Sequence, residues 1–324
     1  MSDKHRGVPG RVLRAGAAAT ASPGLLEAIR SAENATLMPD PVRGQLWRAS
    51  WEDVRQLVLV LRVTGTGTAV VAPVTADPPT SDESSLMLDA SLTVLGHAAT
   101  VWGGLAAEIP FLVFDLVIGA VAPAIVTAAE EVAVGEGREN LPEGVRAGTP
   151  VESVFDPAEE VRAELSDALE FFRDATWAPH VLSSGKPLRE LLMGRSDVRD
   201  LMRELAEALS LKLPEVIDLL KGTRPVNPRH VPAIARITGL TEQEVLSAAS
   251  PIPGDLVREL DRPRWRKALT AQRLQGGSEM SVRLTVAYGT LALAARQTGS
   301  AAADPWPQRV RHYLDTHQPD RRDP

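Results

Sequence analysis

Between positions 210 and 229 the chain carries the groups needed to grip an extended polyanion. Lys212, Lys221, Arg224 and Arg229 are cations and Thr223 offers a hydroxyl, while Ser210 and Asn227 stand where helix ends would present backbone contacts. Groups of these types hold phosphate oxygens, which fixes a protein on a duplex without reading its sequence. Glu215 and Asp218 lie among them. Carboxylates repel phosphates, yet either can accept a hydrogen bond from a cytosine amino group in the major groove. If brought to one surface, residues of these two kinds could hold a phosphate backbone through the cations and meet bases through the acids.

Such groups need short helices to position them. Over 199–250, apolar residues recur at Leu201, Leu205, Ala208 and Leu209, then at Val216, Ile217, Leu219 and Leu220. Those intervals put one face of each helix into a shared core. A Ser-Leu-Lys-Leu turn separates the two helices, Pro214 suits a first helical turn, and Gly222 suits a left-handed residue just past a helix end. Helical patterns follow from Pro228 to Thr238 and from Thr241 onward.

The run LAEALSLKLPEVIDLLKGTRP, followed by PAIARITGLTEQEVL, resembles the Cro/repressor-type (Xre-like) helix-turn-helix family. The match takes in most of that family's helices, and Pro187 to Arg195 is the candidate for the first. What the resemblance implies is a helix-turn-helix domain over 186–250 whose second helix enters the major groove of double-stranded DNA. The implied function is sequence-specific transcriptional regulation without catalysis; the preponderance of Arg over Lys suggests a bacterial source, the lack of cysteine fits the cytoplasm, and the C-terminal helical annex suggests a homodimer. Against it stands a helical bundle that binds protein, an antitoxin-like or adaptor component. Glu215 and Asp218 motivate that rival, because DNA readers more often carry Gln, Ser, Thr or Arg at such positions.

Residues 41–129 read as a small β domain. GQLW opens a strand at Gly44, Gln56 to Val63 and Thr68 to Thr75 are β-branched runs, and a loop rich in Pro, Asp and Ser follows at 77–85. Short strands with turn signals at this spacing argue for a compact barrel. Their order resembles the PemK/MazF-like, SH3-like barrel of toxin ribonucleases, in which an Arg and a Thr serve RNA cleavage. Here Thr75 matches the Thr, but Gln56-Leu57 occupies the place of the family's Arg-Pro pair, with Arg55 one position earlier. A one-residue offset in a strand sends a side chain to the other face, so the expectation is a barrel without its nuclease chemistry. A third reading keeps that ribonuclease activity and needs Arg55 and Thr75 in one cleft.

Together these readings predict an α+β chain. A disordered basic arm (1–40) precedes the barrel (41–129), and an acidic linker with a connecting helix (130–185) joins it to the helix-turn-helix (186–250). A C-terminal helical annex (251–324) closes the chain. The connecting helix is announced by Asp156-Pro157-Ala158-Glu159, a cap, a first-turn Pro and a following acid. Val161, Leu165, Ala168, Leu169 and Phe172 share one of its faces, which must pack either on the C-terminal half or on a second copy. In the annex, Asp255 to Leu274 and Ser278 to Gln297 read as long helices, with a last helix begun by Asp304-Pro305-Trp306. Arg262, Arg264, Arg266, Lys267 and Arg273 surround Trp265. That cluster is either a solvated basic face with one anchored Trp or an additional phosphate grip.

Composition narrows the rest. The 324 residues hold no cysteine, which excludes disulfides and thiolate metal sites. The net charge of −7 is divided unevenly. Residues 1–185 carry 13 Lys and Arg against 25 Asp and Glu, residues 186–250 carry 10 against 9, and residues 251–324 carry 12 against 8. Phosphate binding belongs with the C-terminal half. Ile109 to Ala129 is long enough to test as a membrane span, but Asp115 at its middle and Pro110, Gly119 and Pro123 favour a strand, a turn and a short helix. His312 and His317 are five apart and do not share a helical face. No metal, no other cofactor and no membrane partner is expected.

Overall fold

The computed structural model describes Arg30 and residues 38–317, apart from 66, 77–79, 138, 154, 178–185, 193–197, 223–225, 227–229, 249–251, 274–277 and 297–304. The arm expected over 1–40 therefore lies almost wholly outside the described residues. The chain forms two compact units, Met1–Ala175 and Thr176–Pro324. Strands belong to the first and the second is helical, an α+β arrangement.

Among the described residues, eight strands build the first unit: β1 (Gln45–Trp51), β2 (Val54–Thr64), β3 (Thr68–Ala76), β4 (Leu86–Leu88), β5 (Ala99–Val101), β6 (Ala107–Pro110), β7 (Phe114–Ala120) and β8 (Val145–Ala147). They pair in the order β7-β1-β2-β3-β5-β4-β8. Strand β3 is shared: its first half pairs with β6 and its second half with β5. A register shift in β2 between Val60 and Arg62 adds local twist. Among the described residues β7 and β8, at the two ends, do not pair with each other. The described strands form one antiparallel sheet, and their pairing does not show the closure of the compact barrel that the sequence suggests.

The unbroken apolar run of β2 has a direct cause: both faces of the strand are buried. Leu57, Leu59 and Leu61 point into a core with Leu46, Val74, Leu86, Leu88, Val101, Leu116 and Ile118. Helix α1 (Pro123–Ala133) closes that core with Ile125, Val126, Ala129 and Val132. Val58 and Val60 point the other way and are equally buried. An aromatic group sits near β1 and β7, where Trp47 meets Phe114 edge-on with ring centres 5.5 Å apart.

The stretch from Ile109 to Ala129 becomes the end of β6, a tight turn, β7 and most of α1. Asp115 on β7 is clasped by Arg48 on β1, whose Nε and Nη2 each donate to it at 2.9 Å. Among the described residues no helix is long and apolar enough to cross a membrane.

The acidic stretch expected as a linker is part of this unit instead. Strand β8 pairs with β4, and helix α2 (Pro157–Arg173) packs on β2 and β6. Asp156 caps α2 by accepting from the Ala158 amide at 2.9 Å. The buried stripe is Ala158, Leu165, Leu169 and Phe172, and Trp102 packs against Ala158 and Leu165. Arg162 reaches the buried Asp82, with Nη1 to Oδ2 at 3.0 Å. The acids of α2 form its solvent face, while its apolar stripe covers a sheet face that would otherwise be wet.

The second unit contains α3 (Leu188–Leu191), α4 (Val198–Ala208), α5 (Leu213–Leu220), α6 (Val231–Thr238), α7 (Glu242–Ser247), α8 (Gly254–Leu260), α9 (Arg266–Arg273), α10 (Glu279–Arg296) and α11 (Trp306–Thr316). Thr241 and Glu244 cap α7 reciprocally: the Thr241 amide donates to Glu244 Oε2 at 2.7 Å and the Glu244 amide to Thr241 Oγ1 at 3.2 Å. The long helix expected from Asp255 divides into α8 and α9 at a tight turn over Pro263–Trp265. A proline there can neither donate to the helix nor be accommodated inside it.

Candidate nucleic-acid interface

The turn between α4 and α5 is a helix stop with a defined hydrogen-bond pattern. The Leu211 amide donates to Ala206 O at 2.9 Å and the Ser210 amide to Glu207 O at 3.2 Å. Ser210 has φ +52°. This is the Schellman arrangement, with Ser210 at the left-handed position that glycine ordinarily fills. It releases the chain into α5, whose buried stripe is Val216, Leu219 and Leu220. Those residues pack α5 against α3 and α4, where Leu188, Leu205 and Leu209 are buried.

The outward side of α5 differs from expectation in two ways. Glu215 does not face outward freely, because its Oε2 accepts from the Lys212 backbone amide at 2.8 Å and caps the helix. Ile217, assigned to the core by its apolar character, is 36% exposed, and Leu213 is 52% exposed. With Val216 and Leu219 fixing the buried side, position 217 falls about 100° around the helix from Val216 and emerges at the margin. The face presented to solvent is therefore Leu213, Pro214, Ile217 and Asp218, with exposed Lys212 at one end and exposed Lys221 at the other. Ser210 is exposed beside it. Thr223, Arg224, Asn227 and Arg229 lie outside the described residues.

The cationic run near the C-terminus is spent inside the unit. Glu279 is buried on α10 and meets three guanidinium groups: Arg266 Nη1 at 2.7 Å, Arg283 Nε at 3.0 Å and Arg273 Nη1 at 4.0 Å. Arg266 and Arg283 are themselves buried, and Arg283 also donates to Leu260 O. Glu259 takes Arg264 and Arg262 at 3.0 and 3.6 Å and accepts from the Trp265 indole at 2.8 Å. Trp265 is anchored in the core as expected. Arg266 is buried, Arg262, Arg264 and Arg273 keep part of their surface in solvent and Lys267 is exposed, but the four arginines are already matched by carboxylates. The reason is cost: a buried guanidinium without a counter-charge is expensive, and two acids were placed to meet several of them.

Asp261 borders this network. Burial pushes its carboxyl above the ordinary value of 3.8, against the opposing pull of Arg283 and of the Trp177 indole. That indole donates to Asp261 Oδ1 at 2.6 Å. Tyr288 on α10 is pushed up to about 12 by burial.

In the sheet unit, Thr75 Oγ1 accepts from the Trp102 indole at 3.0 Å. Strand pairing sets Leu57 opposite Val74, and continuing that register brings Gln56 rather than Arg55 across from Thr75. Gln56 Nε2 donates to Val74 O at 2.8 Å. Arg55 is exposed and on the alternate side of the strand, so the two residues of the ribonuclease reading do not share a face. Among the described residues no group of three or more His, Asp or Glu is arranged to hold a metal ion. An open cavity of about 910 Å³ lies between α1 and the following loop, bordered by Glu131, Glu136 and Glu139.

No family model and no curated protein matches the chain. Among solved structures, one described as "Endoribonuclease in complex with its cognate antitoxin from Mycobacterial species" is 18% identical over 32% of this chain and 99% of that chain, with a TM-score of 0.24. A likeness this slight carries no weight for fold or activity.

Proposed function

We propose that the chain is a cytoplasmic, non-catalytic DNA-binding regulator whose reader is the α4-turn-α5 segment. One observation carries the reading: α5 is held by a buried stripe while its opposite side stands open to solvent, ended by Lys212 and Lys221. A short helix presented in this way fits the width of a major groove, and cations at its two ends suit flanking phosphates. Thr223, Arg224, Asn227 and Arg229 belong to the same proposal as phosphate or backbone contacts. With only Lys212 and Lys221 at the ends of α5 among its described residues, a single copy binds weakly, and two copies on paired half-sites would supply the missing affinity. The sheet unit, in this reading, is an SH3-like module related in plan to the PemK/MazF-like barrel and free of its nuclease chemistry.

A second reading rests on the apolar pair itself. Leu213 and Ile217 lie four residues apart on the exposed side of α5, an arrangement that also suits the groove of a protein partner. It makes the chain an antitoxin-like or adaptor component. The two are separated by titrating labelled duplex DNA with the full chain at several salt concentrations. Affinity that falls steeply with salt supports the DNA reading, and none at low salt supports the protein reading.

A further inference from the structure

The exposed residues of α5 are unlike a general phosphate-binding surface, and they point to a base composition. Leu213 and Ile217 are apolar and solvent-facing, and Asp218 is exposed beside Ile217. In a major groove, the group that rewards an apolar side chain is the thymine methyl, and the base that rewards a carboxylate is cytosine, through its amino donor. Guanine N7 and O6 repel a carboxylate, adenine sets its amino donor beside the repelling N7, and neither purine offers a methyl group to Leu or Ile. Both preferences therefore select pyrimidines, and the two features sit on one short helix.

We infer that α5 reads a pyrimidine tract on one strand of its site, with Leu213 and Ile217 against thymine methyls and Asp218 accepting from a cytosine amino group. The inference rests on the DNA reading above. Glu215 takes no part in base contact, because its carboxylate is turned back onto the Lys212 amide. Lys212 and Lys221 then offset the repulsion between Asp218 and the backbone by meeting phosphates on either side of the contacted bases. The outer face of α5 has no Arg, Gln or Asn between positions 213 and 220, so it lacks the side chains that read guanine or adenine bidentately.

The test is selection from duplexes with a randomised core, using the full chain, followed by affinity measurements on the winning sequence. The expected result is a half-site with adjacent thymine and cytosine on one strand. Replacing a contacted thymine by uracil removes only its methyl and should weaken binding roughly fourfold. Asp218→Ala should relax the cytosine preference while leaving the slope of affinity against salt unchanged, since no phosphate contact is lost. Asp218→Asn keeps the shape and should shift preference toward adenine, which asparagine reads. A winning site indifferent to uracil and to Asp218 changes overturns the pyrimidine assignment while the DNA reading stands. Absence of any enrichment at low salt overturns both.

Discussion

Arg266 and Glu279 meet at 2.7 Å inside the helical unit, both side chains almost wholly withdrawn from water. Arg283 shares the same carboxylate. Removing one partner of such a network leaves uncompensated charge in a low-dielectric interior, which is the costly half of a buried ion pair. Glu279→Gln should destabilise the helical unit by about 3–5 kcal/mol, read from the urea midpoint of tryptophan fluorescence. A change within experimental scatter would show that the pair is not buried as described.

The same geometry predicts which cations matter for DNA. Arg262 and Arg264 are engaged with Glu259, whereas Lys212 and Lys221 are exposed and take part in no ion pair among the described residues. Changing Lys212 and Lys221 to Ala should weaken binding to all duplexes alike and reduce the log–log salt slope by roughly 0.9 per lysine. Changing Arg264 to Gln should lower stability and leave that slope where it was. Anisotropy titrations in a salt series check both.

Ser210 occupies a left-handed conformation with φ +52°. A side chain there costs on the order of 1 kcal/mol that glycine avoids. Ser210→Gly should raise the thermal midpoint of the helical unit slightly, and Ser210→Val should lower it. Equal midpoints for Gly and Val would mean that the turn is not the Schellman stop described.

Asp261 gives a pH dependence of definite sign. Its folded-state pKa is raised above 3.8 by burial, so the folded chain holds that proton more tightly than the unfolded chain does. The stabilisation from this group is complete below 3.8 and is lost as pH climbs through the raised value. Asp261→Asn should therefore be more stable than the parent chain at neutral pH, with the difference shrinking as pH falls toward 3.8. Denaturant midpoints at a series of pH values measure the gap; a gap that widens on acidification contradicts the burial.

Much of the helical unit was legible because its signals are local. Thr241 and the apolar intervals of α4 mark helix ends and faces without help from distant chain. The assignments that failed depend on partners far away in sequence. Nothing near Arg266 announces that Glu279 will take its charge, so a run of arginines read as surface. Nothing in α2 says which element its stripe will cover, and the sheet face bearing Trp102 is visible only once β2 and β6 are placed. Ile217 was misjudged because residue type was weighed above angular position: it is apolar, but Val216 and Leu219 already define the buried side. The division of β3 between β6 and β5 was likewise beyond reach, since it depends on strands far along the chain.

The claim that α5 lies against a duplex is tested most directly by anisotropy of a labelled, selected duplex titrated with the full chain and with Ile217→Glu. That substitution puts a second acid beside Asp218 on an exposed position and leaves the buried stripe intact. The account predicts salt-sensitive binding by the parent chain and its loss, by tenfold or more, in a variant that still unfolds at the parent's midpoint. Undiminished binding by the variant, or none by the parent at low salt, would contradict it.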